Sequence, residues 1–224
     1  MRHLTYSFGG HDEQLLAFGP EDAAQRILIV PPLFDEMNRM RRTLVEAMRM
    51  LEAAGVTSGL LDLPGCNESR LKLEDQNIER WKKAVAAAAL AIDATHIFSV
   101  RGGALVDDQP KLPTMRLAPV KGASLLKMLM RTRVAGDKEA GLTTSAESLA
   151  DAAKAGPVEL AGNMVGPQLW ADLNIAVANA SSDAKEIKPN DVGGSPLWLR
   201  AEPQYDAAMA SGLAQMLAEW SNSA

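Results

Sequence analysis

Apolar and polar residues alternate over His3–Phe8 and again over Gln14–Phe18, with Gly9-Gly10-His11-Asp12 between them, a pattern that predicts an opening hairpin. Gly19-Pro20-Glu21-Asp22 breaks it, and Arg26–Val30 then runs apolar almost without interruption. A strand needs no polar face when both of its faces are covered, so this one is expected inside a parallel sheet. Pro31-Pro32 ends it. From Asp35 to Ala54 the apolar positions Met37, Met40, Leu44, Ala47, Met48 and Leu51 recur at helical spacing, and Gly55 supplies a stop. Val56–Leu61 predicts the next strand, with Asp62 at its carboxyl end. Leu63–Lys72 reads as a loop, and Leu73–Asp93 as a long helix whose packed face carries Ile78, Trp81, Val85, Ala88 and Ile92. Thr95–Ser99 is a third parallel strand. Two strand–helix–strand units in succession imply right-handed crossovers and helices on both faces of the sheet.

The pattern is less regular beyond this point. Thr114–Ala118 predicts a strand, Ser124–Val134 a helix, and Val158–Ala161 an extended stretch. Between them, Gly136–Gly156 is polar and alanine-rich, which marks a lid, an insertion or a mobile segment. Gly166-Pro167 introduces a helix through Leu169, Trp170 and Leu173. Ala184–Ile187 and Pro196–Leu199 are expected as strands, and Tyr205–Trp220 as the last helix. The expected architecture is one α/β domain over 1–224, with a mostly parallel central sheet and helices on both faces.

The third strand runs into Ser99-Val-Arg-Gly-Gly103, and small residues follow. A strand, a sharp turn and a helix is the layout in which an α/β-hydrolase carries its nucleophile, in the pattern G-x-S-x-G. Here Arg101 occupies the nucleophile position and Ser99 replaces the first glycine. A guanidinium stays protonated and has no lone pair with which to attack a carbonyl.

Composition narrows the function classes. A hydrophobic fraction of 47% and a charged fraction of 23% describe an ordinary globular chain. The formal net charge of -5 argues against nucleic acid as a partner. The single cysteine, Cys66, leaves no intrachain disulfide and no multi-cysteine metal site. No basic, apolar, small-residue leader opens the chain and no apolar run is long enough to span a bilayer, so no membrane insertion and a cytoplasmic location are expected. With no phosphate loop and no dinucleotide fingerprint, no cofactor is expected either.

Serine-hydrolase chemistry needs a nucleophile, a base and an acid that orients the base. The three histidines are His3, His11 and His96, and none follows the late apolar stretch where such a base normally arrives. His96 begins the strand that ends at the turn, roughly 16 Å of extended chain from Arg101. Weaker catalytic candidates remain. Ser99 is one, although its hydroxyl is expected to cap a local backbone group. Cys66 lies on a loop that should rim the crevice, without a visible activating base. Asp35, Glu36, Asp62 and Glu68 all follow strand ends and could share acid and base roles there.

Arg101 carries two alternatives. Open parallel sheets bind ligands outside their carboxyl strand ends, where an arginine beside a helix N-terminus favours a carboxylate or phosphate. The other alternative is an internal salt bridge to Glu36 or Asp35. Gly102, Phe34, Glu36, Asn38 and Cys66 are placed with Arg101 on the same crevice, and Trp170 and Trp198 are either crevice aromatics or packing.

Val30-Pro-Pro-Leu-Phe-Asp-Glu-Met-Asn-Arg39, Asp62-Leu-Pro-Gly-Cys66, Trp81 with its alanine-rich continuation, Ser99-Val-Arg-Gly-Gly-Ala104 and Pro196-Leu-Trp-Leu199 resemble the exosortase A system-associated hydrolase-like proteins. The resemblance covers most of the chain in order and is poor from Thr132 to Gly156. It implies an α/β-hydrolase fold, an arginine at the elbow, and a genetic link to bacterial exopolysaccharide and protein-sorting systems. With Arg101 at the elbow and no histidine where the base should arrive, the role expected is that of a catalytically impaired accessory protein in such a system. Such a protein would bind a small anionic or carbohydrate-related ligand, or an envelope-biogenesis protein. The competing expectations are a noncanonical hydrolase of an ester, thioester or glycoside, and a protein-interaction module such as a homodimer.

Overall fold

The computed structural model describes residues 1–180 and 184–223. Strands β1 (Arg2–Phe8) and β2 (His11–Phe18) form the opening hairpin. Its turn is shorter than expected, because Gly9 and Gly10 both take positive φ (59° and 81°) and close it in two residues, leaving His11 and Asp12 in the strand. Strands β3 (Arg26–Val30), β4 (Thr57–Leu61), β5 (His96–Val100), β6 (Thr114–Leu117) and β9 (Ala184–Ile187) run parallel, and β2 joins β4 antiparallel. The seven-stranded order is β1-β2-β4-β3-β5-β6-β9, and β7 (Val158–Leu160) with β8 (Asn163–Val165) forms a separate hairpin.

Successive residues of a strand face opposite sides of its sheet. In β3, Leu28 and Val30 pack with Trp81 and Val85 of α2 (Ile78–Ala91), Leu125 of α3 (Gly122–Glu139) and Leu169 of α5 (Pro167–Ile175). Ile27 and Ile29 face the other way, into Met40, Leu44 and Met48 of α1 (Asp35–Ala53) and Leu213 and Leu217 of α6 (Ala207–Asn222). This double covering accounts for the uninterrupted apolar run.

Three elements depart from the sequence pattern. The stretch 73–93 is not one helix. A single 3-10 turn, Leu73–Asp75, is followed by extended Gln76 and Asn77, and the Asn77 side chain accepts from the Arg80 amide at 2.8 Å to start α2. Pro196–Leu199 is no strand but leads into a 3-10 turn, Leu197–Leu199. Its backbone bonds are local, Leu199 N–H to Pro196 and Arg200 N–H to Leu197, and its apolar side chains Leu197 and Trp198 are buried over α1 and α6. Residues 136–156 comprise the end of α3, a turn through Gly141, and helix α4 (Ala146–Ala155), whose start is set by a Ser145/Ser148 capping box. Leu149 and Ala153 of α4 are buried in the core beneath α3 and α5. Among the described residues no helix is long and apolar enough to cross a membrane.

Candidate functional site

β5 delivers its chain directly into Arg101, whose φ is +54°, and a 3-10 turn follows over Arg101–Leu105. Left-handed backbone at a non-glycine residue costs about 1–2 kcal/mol, so something must hold it. Gly102 and Gly103 have no room for side chains. A Cβ on Gly102 would lie 2.6 Å from Leu125 Cδ1 and 2.9 Å from Leu33 Cγ; one on Gly103 would lie 2.6 Å from the Pro31 carbonyl oxygen. The β3–α1 loop therefore sits directly against the turn.

The Arg101 guanidinium is consumed by its surroundings. Nε donates to Glu36 Oε2 at 3.1 Å, Nη2 to Glu36 Oε1 at 3.0 Å and Nη1 to the Ala118 carbonyl at 3.3 Å. The Trp198 ring lies 4.6 Å from the guanidinium carbon, and Arg39 Nη1 donates to the Trp198 carbonyl at 3.0 Å, fixing that roof. The Glu36 side chain is fully buried and that of Arg101 only 16% exposed. Burial pushes the Glu36 carboxyl above its ordinary value, while the Arg101 hydrogen bonds and the charges of Arg101 and Arg39 pull it down without cancelling the shift. Of the two sequence alternatives for Arg101, the salt bridge is the one formed, and its partner is Glu36, not Asp35.

The open crevice lies beside this plug, outside the carboxyl ends of β3 and β4, with a volume of 270 Å³. One wall is the β3–α1 loop, with Phe34, Asp35, Met37 and Asn38; the opposite wall is the β4–α2 loop, with Leu63, Cys66 and Asn67. Gly162, Asn163 and Met164 of the β7–β8 hairpin close the third side. Gly166 permits that placement, since its α-carbon faces the Glu74 backbone too closely for any side chain. Phe34 also has positive φ, 58°, and packs edge-on to Trp81 at 6.2 Å between ring centroids. The β4–α2 loop is pinned from within. Asn67 Nδ2 donates to Asp62 Oδ1 at 2.6 Å, Arg41 donates to the same oxygen at 3.2 Å, and Ser69 Oγ links the Gly65 amide (2.8 Å) to Glu13 Oε1 (3.0 Å).

The structure thus divides the expected site residues. Phe34, Asp35, Asn38 and Cys66 meet in the crevice. Arg101, Glu36 and Gly102 do not line it; Gly102 is packed between Leu33 and Leu125. The carboxylates do not act as a free set either, since Glu36 is held by Arg101 and Asp62 by Arg41 and Asn67, while Glu68 is exposed. Cys66 is half-buried, and burial together with the nearby Asp62 and Glu13 carboxylates pushes its thiol up to about 12. It is a thiol, not a thiolate, at neutral pH.

Ser99 does not cap backbone. Its hydroxyl donates to Asp107 Oδ2 at 2.6 Å, and Asp107 is gripped by Arg116 through Nε (2.9 Å) and Nη2 (2.8 Å). All three side chains are buried, with Ser99 beside Arg116 in the β5–β6 register. Sequence reasoning missed Asp107 and Arg116. The signal was an arginine in the centre of an apolar parallel strand, Thr114–Leu117, which cannot be buried without a partner.

His3 and His11 are exposed on the hairpin. His96 is at the amino end of β5, with Nδ1 2.8 Å from Thr95 Oγ1 and its ring against Trp220, and burial lowers its pKa. Trp170 packs in the core under α3 and Trp198 roofs Arg101, so neither lines the crevice. Among the described residues no three metal-ligating side chains converge.

Neither a family model nor a curated protein matches the chain. Solved structures do. Est1E from Butyrivibrio proteoclasticus, solved with ferulic acid bound, is 14% identical with a TM-score of 0.59, covering 98% of both chains. Alpha/beta hydrolase domain-containing protein 10 from mouse is 12% identical with a TM-score of 0.58, covering 100% of this chain and 99% of its own. A thioesterase domain from the curacin biosynthetic pathway is 14% identical with a TM-score of 0.51, covering 97% and 98%. At such identities the shared property is the fold, and this chain has the α/β-hydrolase fold along its whole length.

Proposed function

We propose that this chain is a ligand-binding or accessory protein on an α/β-hydrolase frame, and that its elbow has been turned from catalysis to architecture. The observation that carries the reading is the bidentate Arg101–Glu36 pair at the position where a hydrolase holds its nucleophile. The other nucleophiles argue the same way, with Ser99 buried against Asp107 and the Cys66 thiol pushed up. The ligand site is the crevice beside the plug. Its lining offers the Asn38 amide, the side-chain carbonyl oxygens of Asn67 and Asn163, whose NH2 groups are already bonded to Asp62 and to the Leu160 and Ala161 carbonyls, one carboxylate in Asp35, and apolar surface from Phe34, Met37 and Met164, with no cation. Amides both donate and accept, and apolar side chains support a ring face, so this lining favours a carbohydrate-related ligand over an anionic one. The link to exopolysaccharide and exosortase systems rests on the resemblance of the Val30–Arg39, Asp62–Cys66 and Ser99–Ala104 stretches, and a cytoplasmic place on the absence of a leader-like or bilayer-spanning run in the sequence.

Two measurements test this. Nitrophenyl esters, thioesters and glycosides are offered together with a fluorophosphonate serine probe, and neither turnover nor covalent labelling is expected. Reproducible turnover lost on replacing Asp35 or Cys66 would establish the noncanonical hydrolase instead. Thermal shift titrations then compare neutral mono- and disaccharides with phosphate and carboxylates. A saturable shift with a saccharide that Asn38→Ala abolishes is expected, and a shift only with anions would sink the ligand class.

A further inference from the structure

The outer face of α3 presents three cations in a chain of formal net charge -5. Lys127, Arg131 and Lys138 fall at spacings of four and seven residues, and with Val134 they occupy one narrow arc of the helix. They border a concave groove of 320 Å³ whose floor is Met130, Val134, Ala135 and Ala146, the last at the start of α4. Among the described residues none of the three cations lies within ion-pair distance of a carboxylate, whereas neighbouring Arg133 is held by Asp137 and Glu159. The lining thus joins three unpaired cations to an apolar floor and contains no carboxylate.

We propose that this face docks an acidic amphipathic helix of a partner protein. The cations run from Lys127 to Lys138, about eleven helical rises or roughly 16 Å, which is three turns of a partner helix. Apolar side chains at i, i+3, i+4 and i+7 of that helix fill the groove, and carboxylates flanking them meet Lys127, Arg131 and Lys138. The concavity favours a helix, whose side chains enter a slot, over a flat anionic bilayer that would leave the floor unfilled. No residue of this groove lines the crevice, so docking is independent of the ligand reading.

The probe is a fluorescein-labelled peptide of about 18 residues, with leucines at that helical spacing and glutamates on the flanks. Its companions are a scrambled peptide of identical composition, a lysine-for-glutamate version, and vesicles of phosphatidylserine and phosphatidylcholine. Fluorescence anisotropy with the whole chain is expected to show saturable, salt-sensitive binding of the first peptide alone. Arg131→Glu at an exposed position and Val134→Asp at a half-buried one, each checked for unchanged circular dichroism and unfolding midpoint, should each weaken it by about tenfold or more. No saturable binding up to millimolar protein overturns the proposal. So does equal binding of the scrambled peptide, an unchanged affinity in both variants, or binding of vesicles without the peptide.

Discussion

Replacing Arg101 with methionine keeps the apolar stem near Trp198 and removes the guanidinium that, alone among the described residues, bonds to Glu36, whose side chain is wholly buried. Removing one partner of a buried ion pair costs about 3–5 kcal/mol, because the remaining charge is left without compensation. The Arg101 side chain keeps 16% of its surface open to water, which argues for the lower end, about 3 kcal/mol. For a chain of this length that is a fall of roughly 6–12 °C in unfolding midpoint. The pH dependence is more telling. Glu36 already has a folded-state pKa raised by burial, so its protonated form favours folding. Its contribution is present in full below the unfolded value of about 4.3 and is lost as pH rises through the folded value. In Arg101→Met the opposing pull is gone, the folded value climbs further, and the loss extends over a wider window of rising pH. The deficit relative to the parent should therefore be small near pH 4 and largest above pH 7. Urea unfolding followed by far-ultraviolet circular dichroism across that range measures it. The double variant Glu36→Leu/Arg101→Met, with no buried charge, should return to within about 1 kcal/mol of the parent. An Arg101→Met protein as stable as the parent at pH 7, or a deficit that widens toward pH 4, would refute the reasoning.

Ser99→Ala removes one hydrogen bond to a buried carboxylate and should lower stability by about 2 kcal/mol; Asp107→Ala, which strands a 2% exposed Arg116, should cost about 3–5 kcal/mol, both read by urea unfolding. Cys66, with its thiol at about 12, should react with iodoacetamide at pH 8 roughly 50-fold more slowly than a free cysteine, the rate still rising beyond pH 10; a plateau near pH 7 would reveal an activated thiolate. Gly103→Ala should be more damaging than Gly102→Ala, because its Cβ meets the Val30 and Pro31 carbonyl oxygens while the other meets side-chain ends of Leu33 and Leu125 that can shift; comparing thermal midpoints decides between equal and unequal losses.

Much of the site could be read from the chain alone, and the residues say why. Arg101 at the elbow follows from a strand, a turn and two glycines in sequence, a local pattern. Phe34, Asn38 and Cys66 were assigned to the crevice because each follows a strand whose carboxyl end must face it. Asn163 and Met164 were not, since the hairpin carrying them is three residues per strand, too short to register as alternation. Gly102 was misplaced because its neighbour's direction was visible in sequence but the depth of packing above it was not.

Apolar period and stop signals act between residues a few positions apart, so the sequence by itself determined the order of strands and helices from β1 through α3 and the two-sided sheet they build. Tertiary structure decided the pairings. Glu36 and not Asp35 meets Arg101 because helix phase turns adjacent carboxylates in different directions, one inward and one to the crevice. Asp107 reaches Ser99 and Arg116 because β5 and β6 lie in the register that sets those two side by side. Pro196–Leu199 carries the composition of a strand, yet it roofs Arg101 as a 3-10 turn, because its apolar side chains find α1 and α6 while its backbone pairs with itself. Such outcomes depend on which surfaces meet across the fold, and no local pattern encodes that.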